Sequence, residues 1–320
     1  MSGIDSLYAG FVSSLPEKLR PVAADLPRQL QLSATPSRAW GTVLGQPLAL
    51  EAPRLVAPAF PRHEPEKVRT AVFAHALSVI EACGRDRVAE RQLRASEELA
   101  KVLHALRRAR DGMLDSVWPG AVELAVAADR ATEEAIKEEH ALLRRLSAVS
   151  FEDYRRISLA KLAVGFPAAV ALARSAGASE TQVEATQRAL VGVALGLKFE
   201  DDAGDWEDDW RRGGGAWAVS LARRRLEAVK GQSADERPTE PDLVRRRVHR
   251  MRVLYLMLRA ARHQYRTAWR YARAVGAEPL ALFSEQRLRH LDGLLPLEAR
   301  HAGYVVRALK LGAWASEVLT

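Results

Sequence analysis

Apolar residues recur at helical spacing along most of the chain. They predict one helix over 66–83, which Gly84 would stop, and a second over 96–117. Ser96 suits the N-cap of the second helix, because its hydroxyl can accept a hydrogen bond from a free backbone N–H of the first turn. No stretch shows the period of two that a half-buried strand requires. The pattern therefore predicts an all-α protein.

The same pattern continues to the end of the chain. Ser150 and Asp153 suit the start of a helix that Pro167 would kink and Gly177 would close. A long helix over 181–210 would be stopped by Gly213, Gly214 and Gly215. Further helices are predicted over 121–147 and 216–229, and two or three more over 242–275 and 279–318, with a polar loop over 231–241.

The proline content divides the chain into two regions. Residues 1–64 are rich in proline and predict short helices with Pro-containing connectors, packed on the rest of the protein. Residues 65–320 predict a single large helical domain.

Composition and charge narrow the function classes. Apolar residues make up 48% of the chain, which is enough for a substantial core. The net charge of +8 is spread over nearly every segment, and no nucleic-acid-binding motif accompanies it, so we expect no nucleic-acid partner. The lone Cys83 excludes an internal disulfide and a cysteine-based zinc site. No secretory signal is visible, and the charge-free stretch 162–173 is too short to span a bilayer, which predicts a cytoplasmic protein without a membrane span.

The most informative segment is the acidic run 201–209. Asp201, Asp205 and Asp209 recur every four residues, with Asp202 beside them, so they would share one helix face. Like charges at that spacing repel each other, and negative charge is unfavourable near a helix C-terminus. A bound cation would compensate for both effects, and Mg²⁺ prefers such oxygen ligands. The alternative is a solvated acidic helix end that faces the two arginines 211 and 212.

Two segments together resemble the trans-polyprenyl diphosphate synthases. The pattern Asp201-Asp202-x-x-Asp205-x-x-x-Asp209 resembles their second aspartate-rich motif. The segment 150–163, in which Tyr154 precedes Lys161, resembles the part of that family where a lysine contacts diphosphate. The resemblance implies the class I isoprenoid synthase fold, a helical bundle around a central apolar cavity. It also implies Mg²⁺ bound to Asp201, Asp202, Asp205 and Asp209, and a prenyl diphosphate substrate contacted by Lys161.

The chain departs from that family at the first aspartate-rich motif. By position this motif should lie near residue 81, where Glu81 and Asp86 are the acidic residues present. Asp111 and Asp115, four residues apart, resemble instead the motif of squalene and phytoene synthases. We favour Glu81 as the metal ligand by position, and the pair at 111 and 115 stays an alternative.

Further departures bear on the reaction. The basic segment that chain-elongating members use for isopentenyl diphosphate is missing, since Arg54 is the only basic residue in 41–58. Lys198 stands where that family commonly has Gln. We therefore predict a terpene synthase that ionises and cyclises an allylic prenyl diphosphate. The alternatives are a prenyltransferase that joins a prenyl diphosphate to a second substrate, and a catalytically silent isoprenoid-binding protein.

Two arginines late in the chain are candidate diphosphate contacts. Arg259 and Arg266 flank the sequence Arg262-His263-Gln264-Tyr265, and terpene synthases use an Arg-Tyr pair in this part of the chain. The order of the pair is reversed here. A second copy of the chain, in a homodimer, is a further candidate partner.

Overall fold

A computed structural model describes residues 3–30, 39–44, 47–145, 147–211, 216–230 and 241–318, with side chains described as far as residue 302 except at 42, 47, 229 and 230. These residues form α-helices and short 3₁₀ turns, and they contain no β-strand. The helices are α1 Gly3–Ser14, α2 Arg20–Leu30, α3 Trp40–Val43, α4 Pro47–Val56, α5 Pro65–Ala89, α6 Glu97–Val117, α7 Ala121–Arg144, α8 Phe151–Lys161, α9 Pro167–Ser175, α10 Glu180–Gly204, α11 Trp206–Arg211, α12 Trp217–Lys230, α13 Pro241–Arg250, α14 Val253–Val275 and α15 Glu278–Val318. The all-α prediction is confirmed.

The chain forms two compact units. Unit 1 combines Met1–Ile136, Ala160–Val191 and Ala268–Leu282, and unit 2 combines Lys137–Leu159, Gly192–Thr267 and Phe283–Thr320. The predicted boundary between residues 64 and 65 stays a prediction.

Helix α5 is the centre of unit 1, where it packs against α4, α6 and α9. The predicted stop at Gly84 is wrong, because α5 continues to Ala89. Gly84 instead allows close packing, since a Cβ there would meet a methyl group of Leu103 at 2.6 Å. The predicted N-cap of α6 is confirmed, because Ser96 Oγ accepts a hydrogen bond from the backbone N–H of Leu99 at 3.1 Å.

The predicted kink at Pro167 is wrong. Helix α8 ends at Lys161, a 3₁₀ turn follows over Ala163–Gly165, and α9 then begins at Pro167. Proline is favourable at this first position, because a backbone N–H there would have no partner within the helix. The predicted end of α9 near Gly177 is confirmed by the positive φ of 75° at that residue, which glycine adopts without strain.

Unit 2 contains a cluster of three aromatic side chains. The ring of Tyr154 lies 5.1 Å from that of Phe199 and 4.8 Å from that of Trp217, between ring centroids. All three side chains are buried, and they join α8, α10 and α12. Such contacts fix the side-chain positions at the acidic end of α10, because close-packed aromatic rings leave little freedom to move.

The long helix predicted over 181–210 is broken at Asp205, between α10 and α11. The predicted stop at 213–215 and most of the loop predicted over 231–241 lie outside the described residues. Among the described helices, none alone is long and apolar enough to cross a bilayer. The bent pair Phe151–Lys161 and Ala163–Ser175 meets that criterion by length and composition only when its helices are taken together.

Candidate metal centre

Three carboxylates converge where α10 gives way to α11 in unit 2. Asp202, Asp205 and Asp209 each place an oxygen within 4.8 Å of the others. The backbone stays helical across the break, since Asp205 N–H donates to Asp201 O at 3.0 Å and Asp209 N–H donates to Asp205 O at 3.1 Å. Asp201 is exposed and does not belong to the converging group. Its predicted role as a ligand stays a prediction.

Asp205 is the least compensated of the three. One of its oxygens, Oδ1, is buried and accepts no hydrogen bond from any described residue. Burial, followed by the charges of Asp209, Asp201 and Asp202, raises the pKa of Asp205 to about 7. A buried carboxylate oxygen without a partner is costly, and a divalent cation would remove that cost. The residues present therefore fit a hard divalent cation.

Asp202 is already held by two neighbours. Lys198 Nζ lies 2.6 Å from Oδ1, and the hydroxyl of Tyr154 donates to Oδ2 at 2.6 Å. Burial raises the pKa of Asp202, while Lys198 and Tyr154 act in the opposite direction. Lys198 thus compensates part of the charge that a cation would otherwise compensate.

A buried glutamate that the sequence analysis did not select lies beside this pair. Glu139 is 4% exposed, and its Oε1 accepts a hydrogen bond from the indole N–H of Trp217 at 2.8 Å. Burial acts to lower the pKa of Lys198, but the charges of Asp202 and Glu139 outweigh it and raise this pKa well above its usual value. The sequence places Glu139 in a run of charged residues, which is typical of a solvated face, so nothing in the pattern indicates its burial.

A second network missed by the sequence analysis lies on the other side of α10. Glu200 accepts a hydrogen bond from the hydroxyl of Tyr265 at 2.5 Å and pairs with Arg287 at 2.6 Å. Gly196 makes this possible, because a Cβ there would meet the Tyr265 ring at 2.6 Å. The predicted diphosphate contacts Arg259 and Arg266 lie on α14 with exposed side chains, and their role stays a prediction.

The predicted ligand Glu81 lies in unit 1, within a network of ion pairs. Its Oε2 is 2.8 Å from Arg85 and its Oε1 is 3.1 Å from Arg107. The same network includes the buried Arg110, which is 1% exposed and donates to both oxygens of Asp129 at 2.8 and 2.9 Å. Burial raises the pKa of Glu81 although both arginines act to lower it. A cation at Glu81 would therefore have to displace an arginine.

The other predicted residues of unit 1 also have ionic partners or are exposed. Lys161 Nζ lies 3.0 Å from Asp86 Oδ1, and Asp111 lies 2.7 Å from Arg110. Asp115 is exposed. The diphosphate contact at Lys161 and the alternative metal ligands at 86, 111 and 115 all stay predictions.

Solved structures of similar architecture are prenyl-chain synthases. Polyprenyl synthase from Caulobacter crescentus, crystallised with calcium and isoprenyl diphosphate, has a TM-score of 0.67 at 18% identity and covers 90% of this chain and 94% of its own. Geranylgeranyl pyrophosphate synthase from Corynebacterium glutamicum has a TM-score of 0.68 at 15% identity, over 90% of each chain. Decaprenyl diphosphate synthase from Rhodobacter capsulatus has a TM-score of 0.65 at 16% identity, over 90% of this chain and 94% of its own.

The likeness to these structures defines the fold of the chain. The chain has the all-α class I isoprenoid synthase fold, as the resemblance of its two motifs predicted. No protein-family model and no curated protein sequence matches the chain.

Proposed function

We propose that the chain is a divalent-cation-dependent prenyltransferase that joins the prenyl group of an allylic diphosphate to a second substrate. The observation that carries the proposal is the convergence of Asp202, Asp205 and Asp209, with a buried Asp205 oxygen that accepts no hydrogen bond from any described residue. The fold, shared with synthases of prenyl diphosphates, supports this choice of substrate class.

In this proposal the chain's own residues hold the ionised end of the substrate. Asp202, Asp205 and Asp209 would hold Mg²⁺, which when bound neutralises charge on the departing diphosphate. Lys198 and Tyr154 hold Asp202 in place, so the position of this ligand is set before a cation arrives. Beside the aromatic rings, Asp202 is 6% exposed, and this burial strengthens electrostatic attraction to its carboxylate.

The proposal extends to residues selected by the sequence. Lys161 is assigned to the diphosphate by its match to the family segment. Glu81 is assigned to a second cation position by its place in the chain, and a cation there would displace Arg85 or Arg107. Arg259 and Arg266 are assigned to the diphosphate by their charge and their exposure on α14. Asp201 is assigned to the outer side of the cation site.

A terpene synthase is the second candidate, because the surroundings of Arg54 argue against a second diphosphate as the acceptor. Arg54 is the only basic residue in 41–58, the region where chain elongation needs cationic groups for a second diphosphate. Its guanidinium lies 3.1 Å from Glu51, so its charge is already compensated. A prenyltransferase with an uncharged acceptor accommodates this observation, and so does a cyclase that needs no acceptor.

Purified protein with Mg²⁺ should distinguish the candidates. Prenyl diphosphates of C10 to C25 would be supplied alone, with isopentenyl diphosphate, or with an aromatic acceptor, and the products followed by mass spectrometry and pyrophosphate release. A product that requires an acceptor supports the prenyltransferase. Pyrophosphate release with a cyclic product and no acceptor would replace it with a terpene synthase. Prenyl diphosphate binding without turnover would indicate a silent family member, and no binding at all would overturn every candidate.

The matched control is the pair Asp205→Asn and Asp208→Asn. Asp208 neighbours the carboxylate group in sequence, but it is exposed and lies 3.9 Å from Arg211. Loss of turnover in both variants would indicate a general effect of charge, whereas loss in D205N alone ties the reaction to the converging carboxylates.

A further inference from the structure

Two histidines and a glutamate come together in unit 2, and none of them belongs to the carboxylate group. His249 lies at the end of α13, and Glu298 and His301 lie one turn apart on α15. Each of the three places a possible ligand atom within 4.8 Å of the other two. The segment Glu298-x-x-His301 has the spacing that puts two ligands on the same helix face.

The glutamate lies between the two imidazoles. His249 Nδ1 is 3.8 Å from Glu298 Oε1, and His301 Nδ1 is 3.8 Å from Glu298 Oε2. The two imidazole planes are nearly perpendicular, at 85°, with 5.4 Å between their centroids. These nitrogen–oxygen distances are too long for hydrogen bonds. They are close to those of shared metal ligands, because zinc bonds of about 2.0–2.2 Å at tetrahedral angles separate ligand atoms by about 3.3–3.6 Å.

His249 supplies an independent observation. Its side chain is 6% exposed, and its Nδ1, the atom directed at Glu298, has no hydrogen-bond partner among the described residues. Glu298 is also largely buried, with a side-chain exposure of 13%, while His301 is 59% exposed. A buried imidazole nitrogen that faces a buried carboxylate raises the free energy of the folded state unless a proton or a cation lies between them. The exposed histidine gives an ion a route from solvent.

The local charges accept a cation at this position. Arg245, one turn before His249 on α13, is a nearby positive group, and its guanidinium pairs with Glu207 at 2.5 Å. The turn after α13 is also fixed, because Arg252 N–H donates to His249 O at 2.9 Å while Arg252 adopts a positive φ of 53°. The position of His249 is therefore set by the backbone, as a ligand of a preorganised site requires.

We propose that His249, Glu298 and His301 form a zinc site that ties α13 to α15. Two imidazoles and a carboxylate suit Zn²⁺, whose three-ligand sites leave a fourth position for water. Bound Zn²⁺ stabilises the folded chain, because three ligands from two separate helices are brought together only in the folded state. The site is independent of the proposed prenyl-diphosphate chemistry, which concerns other side chains and a harder cation.

The test uses the full chain, stripped with EDTA and titrated with Zn²⁺ against a chromogenic chelator. We expect one equivalent of Zn²⁺ to bind. His301→Ala and Glu298→Gln should abolish this binding or lower its affinity by more than the roughly 10- to 100-fold that removal of an outer-shell partner costs. Co²⁺ in place of Zn²⁺ should give intense visible absorption bands of a four-coordinate site in the natural chain, and these bands should be lost in both variants. Zn²⁺ should also raise the Tm of the natural chain and leave that of H301A unchanged.

The control variant is His263→Ala, which removes an exposed histidine of α14. It should bind zinc as the natural chain does. Because His301 is exposed, H301A should fold normally, and circular dichroism verifies this. Equal zinc affinity in H301A and the natural chain would overturn the proposal, as would the absence of a bound equivalent. Loss of the equivalent in Asp205→Asn but not in H301A would assign zinc to the carboxylate group and equally overturn it.

Discussion

The two acidic groups of the molecule differ in how their charge is compensated. In unit 1, Glu81 and Asp129 meet the guanidinium groups of Arg85, Arg107 and Arg110 at distances down to 2.8 Å. In unit 2, Asp202 has Lys198, but Asp205 forms no ion pair with a described residue, and its buried Oδ1 accepts no hydrogen bond from one. The first group is stabilised by the protein itself. In the second group, the described residues leave part of the negative charge uncompensated. Such uncompensated charge is expected of a binding site rather than of a structural network.

The difference also explains why position in the sequence is a poor guide to a ligand. Glu81 lies where the resemblance places a metal ligand, yet both of its oxygens have arginine partners. Asp205 has the pKa expected of an uncompensated carboxylate, raised to about 7 by burial and by the acidic residues around it. The environment of a carboxylate, more than its place in a motif, determines whether a cation is needed.

Removing one acid from the compensated group should have the largest effect on stability. Asp129→Asn leaves the charge of Arg110, which is 1% exposed, without its two-oxygen partner. We expect the free energy of unfolding to fall by about 3 kcal/mol, in the range for breaking a buried ion pair. Urea unfolding followed by circular dichroism measures this, and Mg²⁺ affinity at the carboxylates of unit 2 should be unchanged.

The control for D129N is Glu97→Gln, which breaks an exposed pair with Lys101 at 2.6 Å. Such pairs contribute roughly 0–1 kcal/mol, so little should change. A comparable loss in both variants would mean that burial does not distinguish the network of unit 1 from ordinary surface pairs.

Removing one acid from the uncompensated group should affect activity instead. Asp205→Asn keeps the shape of the side chain and removes the charge that would hold a cation. Turnover of the prenyl diphosphate substrate should fall about 100-fold or more, because the metal's contribution to leaving-group stabilisation amounts to several kcal/mol. Rates with saturating Mg²⁺ measure the loss. Turnover above one tenth of the natural rate would show that Asp205 is not a ligand that the reaction requires.

The fold could be predicted from the sequence because its determinants are local and repeated. Apolar spacing of three and four residues, a serine N-cap and glycine ends predict helices directly, and the two motifs selected the fold among helical ones. The predicted helix bounds were wrong where a residue has a different structural role. Gly84 allows close packing against Leu103 inside a helix, and Pro167 begins a helix rather than bending one.

The site could be predicted only in part. The acidic run was visible, but the spacing of four residues grouped Asp201 with Asp205 and Asp209, whereas the converging group contains Asp202 in place of Asp201. Glu139 was missed because a charged residue in a charged run is normally solvated. Of the two arginine partners of Glu81, Arg85 lies one turn further along the same helix, but Arg107 comes from α6, and no local pattern reveals that second contact.

The raised pKa of Asp205 predicts that burial of its charge, together with repulsion from the neighbouring carboxylates, lowers stability in the absence of a cation. The folded pKa of about 7 lies above the unfolded value of about 3.9, so the folded chain holds an additional proton between them. The resulting stability is fully present below about pH 4 and is lost as the pH rises through 7. At pH 8 with EDTA, Asp205→Asn should therefore be the more stable protein, by about 2 kcal/mol after allowance for solvent screening.

Urea midpoints at pH 5 and pH 8 measure this effect. The difference between D205N and the natural chain should widen with pH, and Asp208→Asn, at an exposed position, should track the natural chain. A constant difference across this range would show that the pKa of Asp205 is not raised.

The smallest expected effect belongs to Lys198, the positive charge within the otherwise uncompensated group. Its ammonium lies 2.6 Å from Asp202 and opposes a second cation nearby. Lys198→Gln removes that repulsion and should tighten Mg²⁺ binding about fivefold, equivalent to about 1 kcal/mol. Calorimetric titration with Mg²⁺ measures the change, and Lys198→Arg, which keeps the charge, serves as the control. Weaker Mg²⁺ binding in K198Q would mean that Lys198 acts mainly by positioning Asp202. The fixed position of each carboxylate would then matter more for cation binding than the difference in charge compensation between the two groups.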